Sequence, residues 1–175
     1  MLAILARRHL QMRAPEARRA QTSRVGLLLQ ALAYAGVFGM HPAGRELLLQ
    51  WRHPAVAAIA AMLMAIGGAG MVVWCQRVLG VQWSLTARLV EGHRLVTSGP
   101  YAWVRHPIYT AMIPMLAATA VAFSSPVVLL VCLALYIVGT RIRITAEEHL
   151  MASAFGEEWT TYRQRVRALV PFPRT

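Results

Sequence analysis

The chain has 175 residues, enough for one domain, and 57% of them are hydrophobic against 14% charged, which excludes an ordinary soluble domain and makes the bilayer the expected solvent. All 18 basic residues are arginine and all 7 acidic ones glutamate, for a formal net charge of +11. The arginines stand at the ends of apolar runs, where anionic headgroups meet them, and no nucleic-acid reading module accompanies them, so nucleic acid is not an expected partner.

In chain order, residues 1–24 form a basic tail or interfacial helix. They carry Arg7, Arg8, Arg13, Arg18, Arg19 and Arg24 against Glu16. The short apolar start precedes these charges instead of following them, unlike a secretory signal. Val25 to Met40 is the first apolar run. It is short for a crossing, but Thr22-Ser23 and His41 can lengthen it, and a span is expected over about 25–41. His41 to His53 reads as a polar, amphipathic connection in which both histidines precede a proline and act as turn residues.

Pro54 suits the first position of the second helix, where a missing N–H costs nothing, and the run continues to Val78. Ala57, Ala61, Ala65, Gly68 and Gly70 give it small faces, which predict close packing on more than one side. Trp74 and Arg77 mark its exit at an interface. Gly80 to Arg105 is a polar loop punctuated by Gly92 and Ser98-Gly99-Pro100. Pro107 opens a third helix through Phe123, with a bend expected near Pro114. Ser124-Ser125-Pro126 is a tight turn holding an N-cap and a proline at N1, so the next helix forms a hairpin with the third. That fourth helix crosses over about 126–144 and stays helical as it becomes charged. Gly156 is expected as its C-cap, before a last amphipathic stretch from Glu157 to Val170. Cys75 and Cys132, with no Cys or His at ligand spacing, read as small core residues, with no metal site.

The fold class is therefore all-α, an integral membrane protein with about four transmembrane helices, residues 25–175 making one membrane-embedded domain. Counting arginines on each side of four spans puts both termini and the central loop on the cytoplasmic side, with Arg45 and Arg52 opposite. The loop from His93 to Tyr109 can then meet the segment holding Arg143, Glu147 and Glu148. Arg143 and Glu147, four residues apart, share a helix face, while Glu148 points about 100° away. An exposed i,i+4 ion pair is worth little. At a membrane boundary, beside Tyr101, Arg105, His106 and Tyr109, such groups are costly to leave without partners.

The residues Leu95-Val96-Thr97-Ser98-Gly99-Pro100-Tyr101-Ala102-Trp103-Val104-Arg105-His106-Pro107-Ile108-Tyr109, then Ala146-Glu147-Glu148, Ala154-Phe155-Gly156-Glu157-Glu158-Trp159 and Tyr162 to Val166, resemble the isoprenylcysteine carboxyl methyltransferases. Related phospholipid N-methyltransferases carry a looser version, and the first 80 residues hold no comparable motif. The resemblance implies S-adenosyl-L-methionine held on the cytosolic side and a lipophilic or lipidated acceptor reached from the bilayer. It implies a cofactor pocket lined by His93, Arg94, Leu95, Val96, Tyr101, His106, Pro107, Ile108, Tyr109, Glu147 and Glu148. Arg143, Glu147 and Arg105 are implied as catalytic, with Arg143 on the substrate side. Arg105 can alternatively anchor the loop to phosphates, His106 can be a plain N-cap, and Tyr101, Tyr109 or Trp103 can face a sulfonium with π-density. Trp159 and Tyr162 read as interfacial anchors. Thr110-Ala111 departs from the family pattern, which has glycine at the second position. The Lys-free composition suggests a GC-rich genome, hence a bacterial inner membrane. The alternatives are a phospholipid N-methyltransferase, in which Glu148 could take the amine proton, and a non-catalytic lipid-binding protein or small transporter subunit.

Overall fold

A computed structural model describes residues 22–40, 53–83 and 94–171. Among the described residues four helices run in order: α1 over 22–39, α2 Pro54–Leu79, α3 Pro107–Phe123 and α4 Pro126–Arg165. Short 3-10 turns occupy Gly80–Gln82 and Gly99–Ala102. The described residues contain no strand; a single parallel bridge joins Val104 to Arg167. The connection expected over His41 to His53 lies outside the described residues, except that His53 takes the N-cap position of α2.

Local chemistry sets the helix ends. Pro54, Pro107 and Pro126 each open a helix where an N–H has no intrahelical partner. The Ser125 hydroxyl caps α4 by accepting from the Val128 amide at 3.4 Å. The α3 helix continues through Pro114. At Gly156 the chain takes a φ of 51°, breaking the regular run of α4 before the helix resumes to Arg165. The expected amphipathic stretch to Val170 is helical only that far. Val166 is extended, because the backbone beyond it pairs with residues 104–106.

Two kinds of close approach hold the bundle. A Cβ added to Gly26 would lie 2.6 Å from the Gly139 carbonyl oxygen, and one on Gly139 would lie 2.7 Å from that of Gly26, so α1 and α4 touch backbone to backbone. A Cβ on Gly68 of α2 would lie 2.9 Å from the Ala111 oxygen of α3. Around these contacts Ala33, Val37, Leu116, Ala120, Cys132 and Tyr136 form a buried core drawn from α1, α3 and α4. Tyr34 fastens α1 to α3 by donating to the Met112 carbonyl at 2.7 Å, and Tyr136 fastens α4 to α3 by donating to the Tyr109 carbonyl at 3.2 Å. Cys75 and Cys132 are buried free thiols, as their apolar settings predict.

Among the described residues α2 packs on one side, not on the several expected. Its buried residues, Ala57, Ala61, Gly68 and Cys75, recur at intervals of four and seven and so mark one face. Gly67 and Gly70 face open space, and Val56, Ile59, Met62, Leu63 and Ile66 point outward. Large apolar side chains on an unpacked face suit lipid tails. Both α2 and α4 are long and apolar enough to cross a membrane, and α3 is a shorter apolar helix.

The glycine contact between α1 and α4 predicts a selective sensitivity. Gly139→Ala should lower stability by about 1–3 kcal/mol through overpacking against backbone. Gly67→Ala, with nothing near its Cβ, should be neutral or gain up to ~1 kcal/mol from helix propensity. Thermal midpoints of the detergent-solubilised variants measure both.

Candidate active site

The approach to α3 determines which side chains turn inward. Gly99, at a φ of 60°, lets the chain turn tightly where an added Cβ would come within 3.2 Å of Val78. Pro100 and Tyr101 are consequently buried against α2. Residues 104–106 then lie alongside the C-terminal segment: the Arg105 amide donates to the Arg167 carbonyl at 2.9 Å and the His106 amide to that of Ala168 at 3.0 Å. The Thr110 hydroxyl extends this seam by donating to the Leu169 carbonyl at 2.9 Å.

With its backbone so held, Arg105 sends its side chain inward. Its Nε and Nη2 donate to one oxygen of Glu148 at 3.0 and 2.6 Å, and its Nη1 donates to the carbonyls of Arg163, at 3.2 Å, and Val166. Arg105 thus ties the loop to α4 and to the end of the chain, in place of the phosphate anchoring considered from sequence. His106 occupies the N-cap position of α3, but its ring makes no capping bond. It bridges the two glutamates instead, with Nδ1 3.5 Å from Glu147 and Nε2 3.3 Å from Glu148.

Glu147 gathers a second set of partners. Tyr109 donates its hydroxyl to Glu147 Oε1, and Arg143 Nη2 lies 3.6 Å from the same atom. The Arg143 guanidinium sits 5.2 Å from the centroid of the Tyr109 ring. Both carboxylates lie past the apolar part of α4. Burial pushes Glu147 up, but His106, the Tyr109 hydroxyl and Arg143 outweigh it and hold the group below the ordinary carboxylate value. Glu148 likewise feels burial, yet His106 and Arg105 bring it down to about 2. His106 is opposed by burial, but the two glutamates raise it above the ordinary histidine value. These shifts all favour the charged forms, a carboxylate at each glutamate and a protonated imidazole between them.

The cluster lies on a cavity of about 540 Å³ at one end of the bundle. Of the residues expected there, Arg94, Leu95, Val96, Tyr101, Arg105, His106, Pro107, Ile108, Tyr109, Arg143 and Glu147 all line it. Glu148 stands behind the wall against Arg105, His106 and Arg163. His93 lies outside the described residues. Trp103 is turned away, exposed and edge-on to Trp74 at 5.5 Å. Among the described residues no His, Cys, Asp or Glu group has the arrangement of a metal site.

Sequence reasoning missed three walls. Trp159 and Tyr162 are not interfacial anchors: they are 4% and 8% exposed and line the cavity. The Tyr162 hydroxyl donates to the Tyr101 carbonyl at 2.6 Å, and the Arg105 guanidinium lies 5.8 Å from the Trp159 ring. Leu27, Gln30, Ala31 and Tyr34 of α1 form the second missed wall; Val72, Gln76 and Leu79 of α2, with Gln82 and Trp83, form the third. One signal was present, since Gln30 is an isolated amide in an apolar run and Tyr34 follows one turn later on the same face.

Residues 56–153 match the isoprenylcysteine carboxyl methyltransferase (ICMT) family. The chain belongs to that family. It is similar to protein-S-isoprenylcysteine O-methyltransferase B of Arabidopsis thaliana, 36% identical over 88 residues, which cover 49% of this chain and 43% of the relative. The protein-S-isoprenylcysteine O-methyltransferases of Mus musculus and Homo sapiens are 38% and 37% identical over 86 residues, covering 47% of this chain and 29% of each relative. The match thus spans less than half the length of these curated relatives. These relatives are eukaryotic, and nothing in the match bears out a bacterial source. Together with the apolar α2 and α4, ICMT family membership marks a membrane protein.

Arg105 is the most exacting part of this cluster. Arg105→Gln leaves Glu148 and two carbonyls short of donors and should cost about 3–5 kcal/mol of stability, read as a lower thermal midpoint in detergent. The Glu148 contribution is present above the ordinary pKa of 4.5 and is lost as pH falls toward about 2. In Arg105→Gln, which lacks the guanidinium that helps depress Glu148, the acid-side loss should begin at a higher pH.

Proposed function

We propose that this chain transfers a methyl group from S-adenosyl-L-methionine to the carboxylate of a lipophilic, membrane-borne acceptor of the isoprenylcysteine class. The observation that carries this reading is one cavity in which an anionic carboxylate, a buried guanidinium and several aromatic rings converge, in a chain of this family. The alternatives, a phospholipid N-methyltransferase or a non-catalytic lipid-binding protein, find support in neither the family nor the relatives named above.

The donor set fits the methyl donor. Glu147 suits its ammonium, while Tyr101, Tyr109 and Trp159 supply π-faces suited to a sulfonium. The loop from Arg94 to Val96 and the turn from His106 to Ile108 supply further walls, and a volume of about 540 Å³ is ordinary for a cofactor-sized ligand. When bound, S-adenosyl-L-methionine supplies an electrophilic methyl group on a positively charged sulfur.

The protein's task is then alignment and exclusion of water. A carboxylate is already deprotonated at neutral pH, so the chain need not provide a general base. Transfer to a carboxylate oxygen would leave the S–CH₃ electron pair on the departing sulfur, so the residues holding the two ligands would have no proton to move. Arg143 orients the acceptor carboxylate, and Glu147 holds the donor end of the site. In-line displacement depends steeply on such placement, and a buried, apolar-walled site keeps water away. Arg105 and Glu148 serve as positioning groups, because the guanidinium is spent on Glu148 and on backbone carbonyls.

Four spans, α1 to α4, form a single domain after the basic tail, with the cavity and both termini on the cytoplasmic side. The arginine distribution supports this orientation. The cavity supports the alternation of the four helices, since it draws on the N-terminal half of α1, the C-terminal end of α2, the N-terminal end of α3 and the charged part of α4. The Lys-free composition supports a bacterial inner membrane.

Two measurements test this reading. Glu147→Gln keeps the shape and removes the charge, so S-adenosylhomocysteine affinity should fall roughly ten- to a hundredfold, the worth of a charged hydrogen bond; unchanged affinity removes Glu147 from the cofactor site. Topology reporters fused at Thr175 and at Ala43 should give opposite signals, and equal signals would sink the four-span arrangement.

A further inference from the structure

Gln30 lies on α1, before the stretch that matches the family, yet its side chain ends against Arg143. It is 3% exposed and sits on the cavity wall. Its Nε2 donates to the Thr140 hydroxyl at 2.8 Å, and its Oε1 accepts from Arg143 Nη1 at 3.2 Å. Chemistry fixes which way round the amide stands: a guanidinium only donates, so the carbonyl end of Gln30 must face it, and the amino end is left for a hydroxyl that can accept.

The backbone leaves this contact little slack. Gly26 and Gly139, one turn from Gln30 and Arg143 respectively, bring α1 and α4 to backbone contact. A Cβ on Gly26 would also strike Arg143 Cγ at 2.6 Å, so the arginine stem is pressed against α1 on one side. Tyr34, one turn further along α1, is tied to α3 through the Met112 carbonyl. A planar guanidinium held at Nη1 by an amide and flanked at Nη2 by Glu147 has a fixed plane. The amide is neutral, so it orients the guanidinium without cancelling its charge. A carboxylate at the same place would add a second anion beside Glu147 and compete with any anionic ligand.

We propose that Gln30 is a positioning residue for the acceptor: it sets the plane of Arg143 beside Glu147 without adding a second negative charge there, so that α1 governs recognition of the anionic end of the substrate. This rests on the acceptor role assigned to Arg143 above.

The test separates recognition of the carboxylate from everything else. The probes are N-acetyl-S-farnesylcysteine and its methyl ester, which share the lipid and differ in the negative charge. Their affinities for the detergent-solubilised full chain are measured in the parent, Gln30→Leu, Gln30→Glu and Arg143→Lys, alongside S-adenosylhomocysteine affinity and thermal midpoint. The parent should prefer the acid. Gln30→Leu and Gln30→Glu should each reduce the acid-over-ester preference about tenfold or more, with ester and S-adenosylhomocysteine affinities within about twofold of the parent. Gln30→Glu keeps the shape and preserves a partner for Arg143, so it guards against loss of folding in the leucine variant. A merely structural role would lower the thermal midpoint and weaken acid and ester alike, and that result overturns the proposal. Preference lost in Arg143→Lys but kept in both Gln30 variants overturns the role of Gln30 alone. Equal binding of acid and ester by the parent, or preference intact in Arg143→Lys, overturns the acceptor role of Arg143 and the positioning role with it.

Discussion

A guanidinium buried beside a membrane-facing bundle must find an acceptor in each direction it can donate, and Arg105 arranges its surroundings on that condition. One direction is met by Glu148 on α4, the other by the carbonyls of Arg163 and Val166 near the end of the chain. Three distant stretches are thereby drawn to one point, and the seam from Val104 to Thr110 falls into place along residues 167–169. With Glu148 so engaged, His106 is drawn between the glutamates, and Glu147 stays on the cavity side with Tyr109 and Arg143.

The apolar part of the bundle and this polar end obey different rules. Among lipid tails there is no hydrophobic force to press helices together, so backbone approach at Gly26 and Gly139 and at Gly68 does the packing, with tyrosine hydroxyls finding carbonyls between helices. At the polar end, desolvated charges hold the elements by pairing, and removing one member strands another. The cavity lies where the two regimes meet, with mostly apolar walls from α1, α2 and α3 and a charged wall from Arg105, His106 and α4.

Most of the helices were legible because their signals are local. Proline at N1, the Ser125 cap and a charged continuation of an apolar run each act within a turn or two, and α2, α3 and α4 begin where these signals stand. The divergence of Glu147 and Glu148 was also legible, since helix geometry alone sends neighbours 100° apart, and apart from the shared His106 they serve different partners. What escaped depends on distant contact. Trp159 and Tyr162 look like interfacial aromatics until the break at Gly156 and the grip of Arg105 turn that segment onto the Tyr101 turn. Residues 166–170 keep an amphipathic pattern, but pairing with residues 104–106 draws them out of the helix. The approach of α1 to Arg143 is set by two glycines far apart in the chain, which no window of sequence contains together.

Beyond Tyr162, the hydrogen-bond partners described for the loop are backbone oxygens: those of Arg163, Val166, Arg167, Ala168 and Leu169. Every residue type carries that atom, so these contacts prescribe a path for the chain without prescribing the side chains along it. Such a segment can hold the loop through its backbone whatever its side chains are. The family match stops at residue 153, and the wall built by Trp159 and Tyr162 lies beyond it. The limits of a recognisable family stretch and the limits of the pocket it serves are therefore different boundaries in this protein.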